Sequence, residues 1–307
     1  MALTIYFFSS INLQLLMKAS TQLHSLSSQI APSRKSTIGV IQLCSINDIE
    51  VNYSKIASFV KDCANKGAQL VCLPENFAFM GGTPEEMEKI KEPVEGPLIK
   101  RYAHLAVENG VWLSLGGYQE AIEGSTKRYN THIIINDKGE IVNKYKKLHL
   151  FEVQMAQAGG LNLSESTFCE PGMELPKVIQ SPFGPLGPMI CYDLRFPELA
   201  RSLVTRGAQL LFYPSAFTVK TGSAHWELLL RTRAVENQCY VIASAQTGQH
   251  NEKRASYGHS MVVDPWGDII GQMSDKEGFF VCEIDLDYLD KVRGNMACLT
   301  HMRKDIL

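Results

Sequence analysis

The segment Gly187-Pro-Met-Ile-Cys191-Tyr192-Asp193-Leu-Arg195-Phe-Pro197-Glu198 is the part of this chain best suited to covalent chemistry. Four small or apolar residues run into a cysteine, a mostly polar tetrapeptide follows, and Pro-Glu opens an amphipathic run that ends at Gly207. The pattern reads as strand, sharp turn and helix with the thiol at the bend. A thiol placed there lies at the carboxyl edge of a sheet, close to backbone N–H groups that can hold an oxyanion. A helix N-terminus nearby would favour the thiolate, the nucleophilic form. Free cysteine is also among the most buried residue types, so the segment alone leaves a core role equally open. Three further places carry groups that could assist a nucleophile. Glu75 follows Leu73-Pro74, Lys147 and His149 sit in Tyr145-Lys-Lys-Leu-His-Leu150, and Glu165 sits in Leu161-Asn-Leu-Ser-Glu-Ser166. Taken singly, the acids and lysines read as solvated surface groups and His149 as a hydrogen-bonded structural residue.

The elements that must position these groups alternate between the strand and helix periods. Thr37–Cys44, Gln69–Pro74, Val111–Gly116, Gln209–Tyr213 and Cys239–Ser244 read as strands, and Phe279–Ile284 closes the set. Between them lie helical patterns: Ile56, Phe59, Val60 and Cys63 at helical spacing before Gly67; Pro97–Glu108, with proline suited to a first turn; and His225–Asn237. Tyr129–Asn136 and Glu140–Tyr145 form a hairpin across Asp137-Lys-Gly139, and Ser260–Asp264 and Asp268–Ile270 another across Pro265-Trp-Gly267. The stretch from Phe151 to Pro185 is too long for an ordinary connection, which marks it as functional. The alternation implies sheets covered by helices rather than a bundle or an all-β sandwich, and periodicity leaves one sheet or two open.

Composition narrows the classes of function. The chain has 307 residues, 45% of them hydrophobic, and a formal charge of −2, so it can bury a large core and lacks the basic balance of a nucleic-acid binder. No apolar run reaches the roughly 18 residues that span a membrane. The eight cysteines show no CxxC or CxxxC spacing, which argues against zinc and redox motifs and for reduced thiols. Residues 1–36 contain no Asp or Glu and many serines, with Lys18, Arg34 and Lys35 as the fixed cations. That composition fits a cleaved organelle transit segment, for instance a chloroplast address, with a cytosolic form starting at Met17 as the alternative.

In combination the chemical segments become specific. Glu75-Asn76 after Leu-Pro, Lys147-Leu-His149, Cys191-Tyr-Asp-Leu-Arg-Phe-Pro-Glu198, Tyr213-Pro-Ser-Ala-Phe217, His225-Trp-Glu227, Arg231-Thr-Arg233-Ala-Val-Glu-Asn237 and Ser256-Tyr-Gly-His-Ser260 occur in that order. The set resembles the carbon–nitrogen hydrolases of the nitrilase superfamily over about residues 37–290, leaving 291–307 as a short tail. Within it, Glu252–Gly267 is similar to the deaminated-glutathione amidase branch. The resemblance implies a four-layer αββα sandwich that pairs through helices into a homodimer, with no metal or organic cofactor. It assigns Cys191 as nucleophile, Glu75 as general base, Lys147 as the catalytic lysine, and Glu165 as the second glutamate.

Those types suit amide hydrolysis. An amide is a poor electrophile with a poor leaving group, and acylating a cysteine splits one hard step into two easier ones. Glu75 would take the thiol proton and return it to the departing amine. Lys147, with a backbone N–H near Tyr192, would stabilise the oxyanion, and Glu165 would keep the lysine in place and charged. The branch implies release of 2-oxoglutarate and cysteinylglycine from a small amide with two carboxylates. Cations should therefore line the pocket, with Arg195, Lys220, Arg233 and Arg254 available and Tyr192, Tyr213 and Phe217 as wall residues. The alternatives are another ω-amide such as 2-oxoglutaramate, and a catalytically silent scaffold of the same fold.

Overall fold

The computed structural model describes residues 34–154, 162–303 and 305–306, so the first 33 residues of the transit reading lie outside the described residues. Lys35–Leu307 form one compact unit. In chain order its elements are β1 (Lys35–Gln42), α1 (Ile49–Asn65), β2 (Leu70–Leu73), α2 (Pro84–Lys89), α3 (Pro97–Asn109), β3 (Trp112–Ala121), β4 (Arg128–Ile135), β5 (Ile141–Lys146), β6 (Glu152–Gln154) and β7 (Asn162–Ser164). They continue with β8 (Leu186–Pro188), α4 (Pro197–Thr205), β9 (Leu210–Phe212), α5 (Val219–Asn237), β10 (Tyr240–Ala243), β11 (Thr247–Asn251), β12 (Arg254–Tyr257), β13 (Met261–Val263), β14 (Ile269–Gln272), β15 (Gly278–Asp285), α6 (Leu286–Asn295) and α7 (Cys298–His301).

Two sheets result, with strand orders β15-β1-β2-β3-β4-β5 and β14-β13-β10-β9-β8. The side-chain alternation of each strand shows how they stack. Ile38, Val40, Leu70 and Cys72 from one sheet share a buried cluster with Leu210, Phe212, Tyr240 and Ile242 from the other, so the sheets meet face to face. The intervening residues point the opposite way. Ile41, Val71 and Leu73 pack on Ile56 and Val60 of α1 and Leu98, Ile99 and Tyr102 of α3. Leu211, Val241 and Ala243 pack on Leu199 and Leu203 of α4 and Trp226, Leu230 and Ala234 of α5. The order of layers is therefore helix, sheet, sheet, helix, and strands covered on both faces explain the unbroken apolar runs of the sequence.

In each sheet the central neighbours run parallel: β1, β2 and β3 in one, β8, β9 and β10 in the other. Their carboxyl ends carry Glu75, Cys191 and Pro214–Ala216, and hydrogen bonds tie those ends together. The Ser244 hydroxyl donates to the Leu73 carbonyl at 2.8 Å, and Gln246 Nε2 to the Glu75 carbonyl at 3.0 Å.

Several elements depart from the sequence expectation for local reasons. α5 begins at Val219 rather than at His225, because the Thr218 side chain accepts from Thr221 N and Gly222 leaves room for the Tyr257 ring. β3 continues past Gly116 to Ala121 through an irregularity in its pairing with β4 between Leu115 and Tyr118. α6, capped by Asp285, follows the last strand and buries Leu286, Leu289 and Val292.

Candidate active site

The four residues of the amidase pattern sit just beyond the ends of different elements. Glu75 is two residues past β2, Lys147 directly follows β5, Glu165 opens a single 3-10 turn after β7, and Cys191 opens another after β8. Folding brings all four together. Lys147 Nζ lies 3.0 Å from Glu75 Oε1 and 2.9 Å from Glu165 Oε2, with the lysine side chain 2% exposed. The Cys191 thiol hydrogen-bonds the Glu75 carboxylate. Ala216 N donates to Glu75 Oε2 at 3.0 Å, and Phe151 N to Glu165 Oε2 at 2.8 Å. Asn130 Nδ2 reaches both carboxylates, at 2.9 Å from Glu75 Oε1 and 3.0 Å from Glu165 Oε1.

This environment sets the charges. Burial works against ionisation of Glu75, but the Lys147 charge and hydrogen bonds from Cys191, Lys147 and Asn130 outweigh it and hold the carboxyl below its ordinary value of 4.5. Burial alone would strip the proton from Lys147, and the charges of Glu165 and Glu75 keep its pKa well above 10.5. For Cys191 burial and the adjacent Glu75 charge dominate over Lys147 and the Ala216 N–H, so its pKa lies well above 9. The resting state is thus a neutral thiol beside a carboxylate and an ammonium. This corrects the expectation of a favoured thiolate. The helix dipole does not supply one, because α4 starts only at Pro197, six residues beyond the sulfur.

The Cys191 turn is strained and braced. Cys191 has φ +44°, a conformation costly for a residue with a Cβ, and its N–H is bonded to the Pro214 carbonyl at 2.9 Å. Asp193, wholly buried, fixes the turn: its Oδ2 accepts from Ile190 N at 3.0 Å and the Tyr145 hydroxyl at 2.8 Å, and its Oδ1 accepts from His149 Nδ1 at 2.7 Å. His149, stacked on Phe196 with ring centroids 3.6 Å apart, therefore ties the lysine segment to the cysteine turn. Behind Cys191, buried His132 reaches across the sheets to the Met189 carbonyl at 3.1 Å. Beside Glu75, Gly117 has φ +67°, and a Cβ there would lie 2.6 Å from Glu75 Cγ.

The expected substrate-facing residues separate into two groups. Tyr192, Arg195 and Phe217 cluster: the Arg195 guanidinium lies 5.8 Å from the Tyr192 ring centroid and 5.4 Å from that of Phe217, and contacts His225 Nδ1 at 3.3 Å. Tyr213 is wholly buried in the cluster between the second sheet and its helices that also holds Cys191 and Phe217. Arg233 is buried and spends its Nε and Nη2 on the Leu194 carbonyl, bracing the cysteine turn. Lys220 and Arg254 are exposed, on α5 and on the β11–β12 hairpin. Among the described residues no group of His, Cys, Asp or Glu is arranged to hold a metal ion. Sequence reading missed Asn130, although Asn130-Thr-His132 is a polar run directly before the apolar Ile133–Ile135 and all three of its residues are buried.

A family model for carbon–nitrogen hydrolases matches residues 37–294. The chain belongs to the carbon–nitrogen hydrolase family. Like other members, it is a hydrolase acting on carbon–nitrogen bonds other than peptide bonds. It is 45% identical over 291 residues to a deaminated glutathione amidase of Bos taurus, covering 94% of this chain and 88% of that protein. Among solved structures it is similar to the Caenorhabditis elegans NitFhit protein (TM-score 0.84, 42% identity, 91% of this chain and 67% of that one). It is also similar to a Glu→Gln mutant of an amidase from Nesterenkonia sp. AN1 that carries acrylamide added to its active-site cysteine (TM-score 0.69, 27% identity, 85% of this chain and 98% of that one). The four-layer sandwich of this hydrolase is that of the nitrilase superfamily.

Proposed function

We propose that this hydrolase cleaves the amide of deaminated glutathione to 2-oxoglutarate and cysteinylglycine through a thioester on Cys191. The observation that carries the chemistry is the buried cluster of thiol, two carboxylates and ammonium. A buried ion cluster is expensive to hold and stabilises a fold less than apolar packing of the same volume, so it fits a catalytic use better than a scaffold. The 40–45% identity to deaminated glutathione amidases over most of the chain supports the substrate.

Attack begins with the sulfur approaching the amide carbonyl while Glu75 takes the thiol proton. The negative charge moves to the carbonyl oxygen, where Lys147 and the Tyr192 N–H, near the open end of the 3-10 turn, stabilise it. Glu75 passes the proton to the amide nitrogen, the C–N bond breaks and cysteinylglycine leaves. Glu75 then deprotonates water, which attacks the thioester. The C–S bond breaks, 2-oxoglutarate departs and the thiol regains a proton. Glu165 keeps Lys147 charged and aimed throughout.

Arg195 suits a substrate carboxylate, since it lies over two aromatic rings and among the described residues no carboxylate pairs with it. Arg254, exposed on the β11–β12 hairpin, is the second candidate. Leu228, Val235 and Trp266 are at least half exposed, and a groove of about 560 Å³ on the outer face of α5 is lined by Leu228, Val235 and Tyr257. This supports homodimer pairing through α5; a monomer in sedimentation at micromolar concentration refutes it. The acid-free first 36 residues support an organelle address, refuted by an intact Met1 on the mature protein in mass spectrometry.

Steady-state rates on deaminated glutathione, 2-oxoglutaramate and a nitrile test the substrate, with Cys191→Ala as control. Deaminated glutathione should give the highest kcat/KM and Cys191→Ala should abolish it. A nitrile preference overturns the substrate, and wild-type turnover in the variant overturns the nucleophile.

A further inference from the structure

Asn130 lies on β4 between both glutamates and the lysine, 3% exposed. Its side-chain nitrogen divides its two N–H bonds, one to Glu75 Oε1 and one to Glu165 Oε1. Its backbone carbonyl accepts the Lys147 N–H at 2.8 Å. Its side-chain oxygen is buried without a hydrogen-bond partner and faces Gly117, where a Cβ would lie 3.0 Å from it. A buried carbonyl without a donor is unfavourable, so satisfying its own groups is not what orients this amide. Turning the amide over would press Oδ1 against two carboxylate oxygens at about 3 Å and is excluded by charge.

We propose that Asn130 is a positioning residue of the amide hydrolysis: by donating one N–H to each glutamate it keeps both carboxylates ionised and oriented about the single lysine. The inference rests on the reading of Glu75 as general base. Two carboxylates sharing one ammonium repel each other, and without further donors one of them tends to take up a proton. Each N–H from Asn130 favours the ionised form it binds. The division also selects an oxygen. Glu75 Oε1 is occupied by Lys147 and Asn130, whereas Oε2 receives Ala216 N and keeps room for the thiol proton. Glu165 is held at both oxygens, by Asn130 on one and by Lys147 and Phe151 N on the other, as befits a group that anchors rather than reacts.

Asn130→Asp tests this with nearly unchanged shape, because it replaces the shared donor with a third acid. The measurement is kcat and KM against pH on the best amide substrate, with melting temperature recorded alongside. The acid limb of kcat/KM should rise by at least about one pH unit. At neutral pH, above the shifted limb, kcat should fall about 10- to 100-fold through loss of carboxylate orientation, with KM changed less than about threefold. Asn130→Ala, which removes both N–H groups and adds no charge, should move the limb in the same direction and serves if the aspartate variant does not fold. An acid limb that stays at the wild-type position overturns the proposal whatever happens to the melting temperature, since a structural role alone would lower stability and leave the limb in place. Glu75→Gln separates the two readings. An inactive glutamine variant with an unmoved limb in the Asn130 variants removes Asn130 alone, whereas an active one removes Glu75 as the base and with it the premise.

Discussion

Replacing Glu75 with glutamine separates two roles that one carboxylate plays in this cluster. In the proposed mechanism it accepts the thiol proton, and in the resting site its charge also helps keep that proton on the sulfur. Glutamine keeps the shape and loses both effects. General base and general acid assistance are each worth roughly 10²- to 10⁴-fold, so amide turnover should fall on the order of 10³-fold, about 4 kcal/mol in the barrier. The thiol behaves differently. Burial still opposes the thiolate, but the adjacent anion is gone, while Lys147 and the Ala216 N–H remain to favour negative charge on sulfur. Lys147 retains Glu165 at 2.9 Å and so remains charged. Acrylamide needs no acid to expel a leaving group, so its rate of addition to Cys191 at neutral pH should be retained or raised in Glu75→Gln. The assay is paired: steady-state amide hydrolysis, and loss of free Cys191 followed by mass spectrometry under excess acrylamide. If both rates collapse together, Glu75 generates a standing thiolate and the neutral resting state is wrong. If hydrolysis survives, Glu75 is not the base.

The same charges predict a flat pH profile. With Glu75 below its ordinary range, Cys191 well above 9 and Lys147 well above 10.5, kcat/KM should stay level from about pH 5 to 8, and a narrow bell centred near 7 would contradict these charges. Gly117→Ala places a Cβ against Glu75 Cγ from a left-handed backbone, which costs about 1–2 kcal/mol for the conformation alone. It should lower the melting temperature and cut kcat by about 100-fold through displacement of the base, and a variant with wild-type kcat would show that the Glu75 geometry has slack.

What could be read ahead of the structure follows from how local each signal is. The strands, the two hairpins and the strand–turn placement of Cys191 depend on short-range patterning, and Asn136 and Gly139 supply the hairpin geometry by themselves. The order of chemical residues marked the tetrad because four segments carry recognisable neighbours. A tyrosine near a strand end, such as Tyr213, reads alike in sequence whether it faces a pocket or the core, because the side it faces is fixed by neighbours on α4 and α5, remote in sequence. The thiol's charge state was misjudged for a related reason. Sequence shows a helix after the cysteine, but not the intervening 3-10 turn or how near Glu75 comes. Asn130 and Asp193 act through contacts that span 35 to 55 residues and 44 to 48 residues respectively, beyond the reach of any local pattern.

The arrangement as a whole explains why a second glutamate and an asparagine accompany a nucleophile and a base. Two carboxylates and one ammonium leave the resting site with one net negative charge, and a standing thiolate would add a second in the same buried volume. The proton therefore leaves the sulfur only as the substrate carbonyl begins to carry the charge away. That oxygen is drawn toward Lys147, which must be cationic at that moment though nearly free of water. Glu75 cannot guarantee this alone, because it loses its charge in the same step. Glu165, bonded at both oxygens by Lys147, Phe151 N and Asn130, keeps the lysine protonated when its other partner is neutralised. Division of labour between the two carboxylates thus follows from charge conservation during the attack, and Asn130 is placed where it can keep both acids in their starting state.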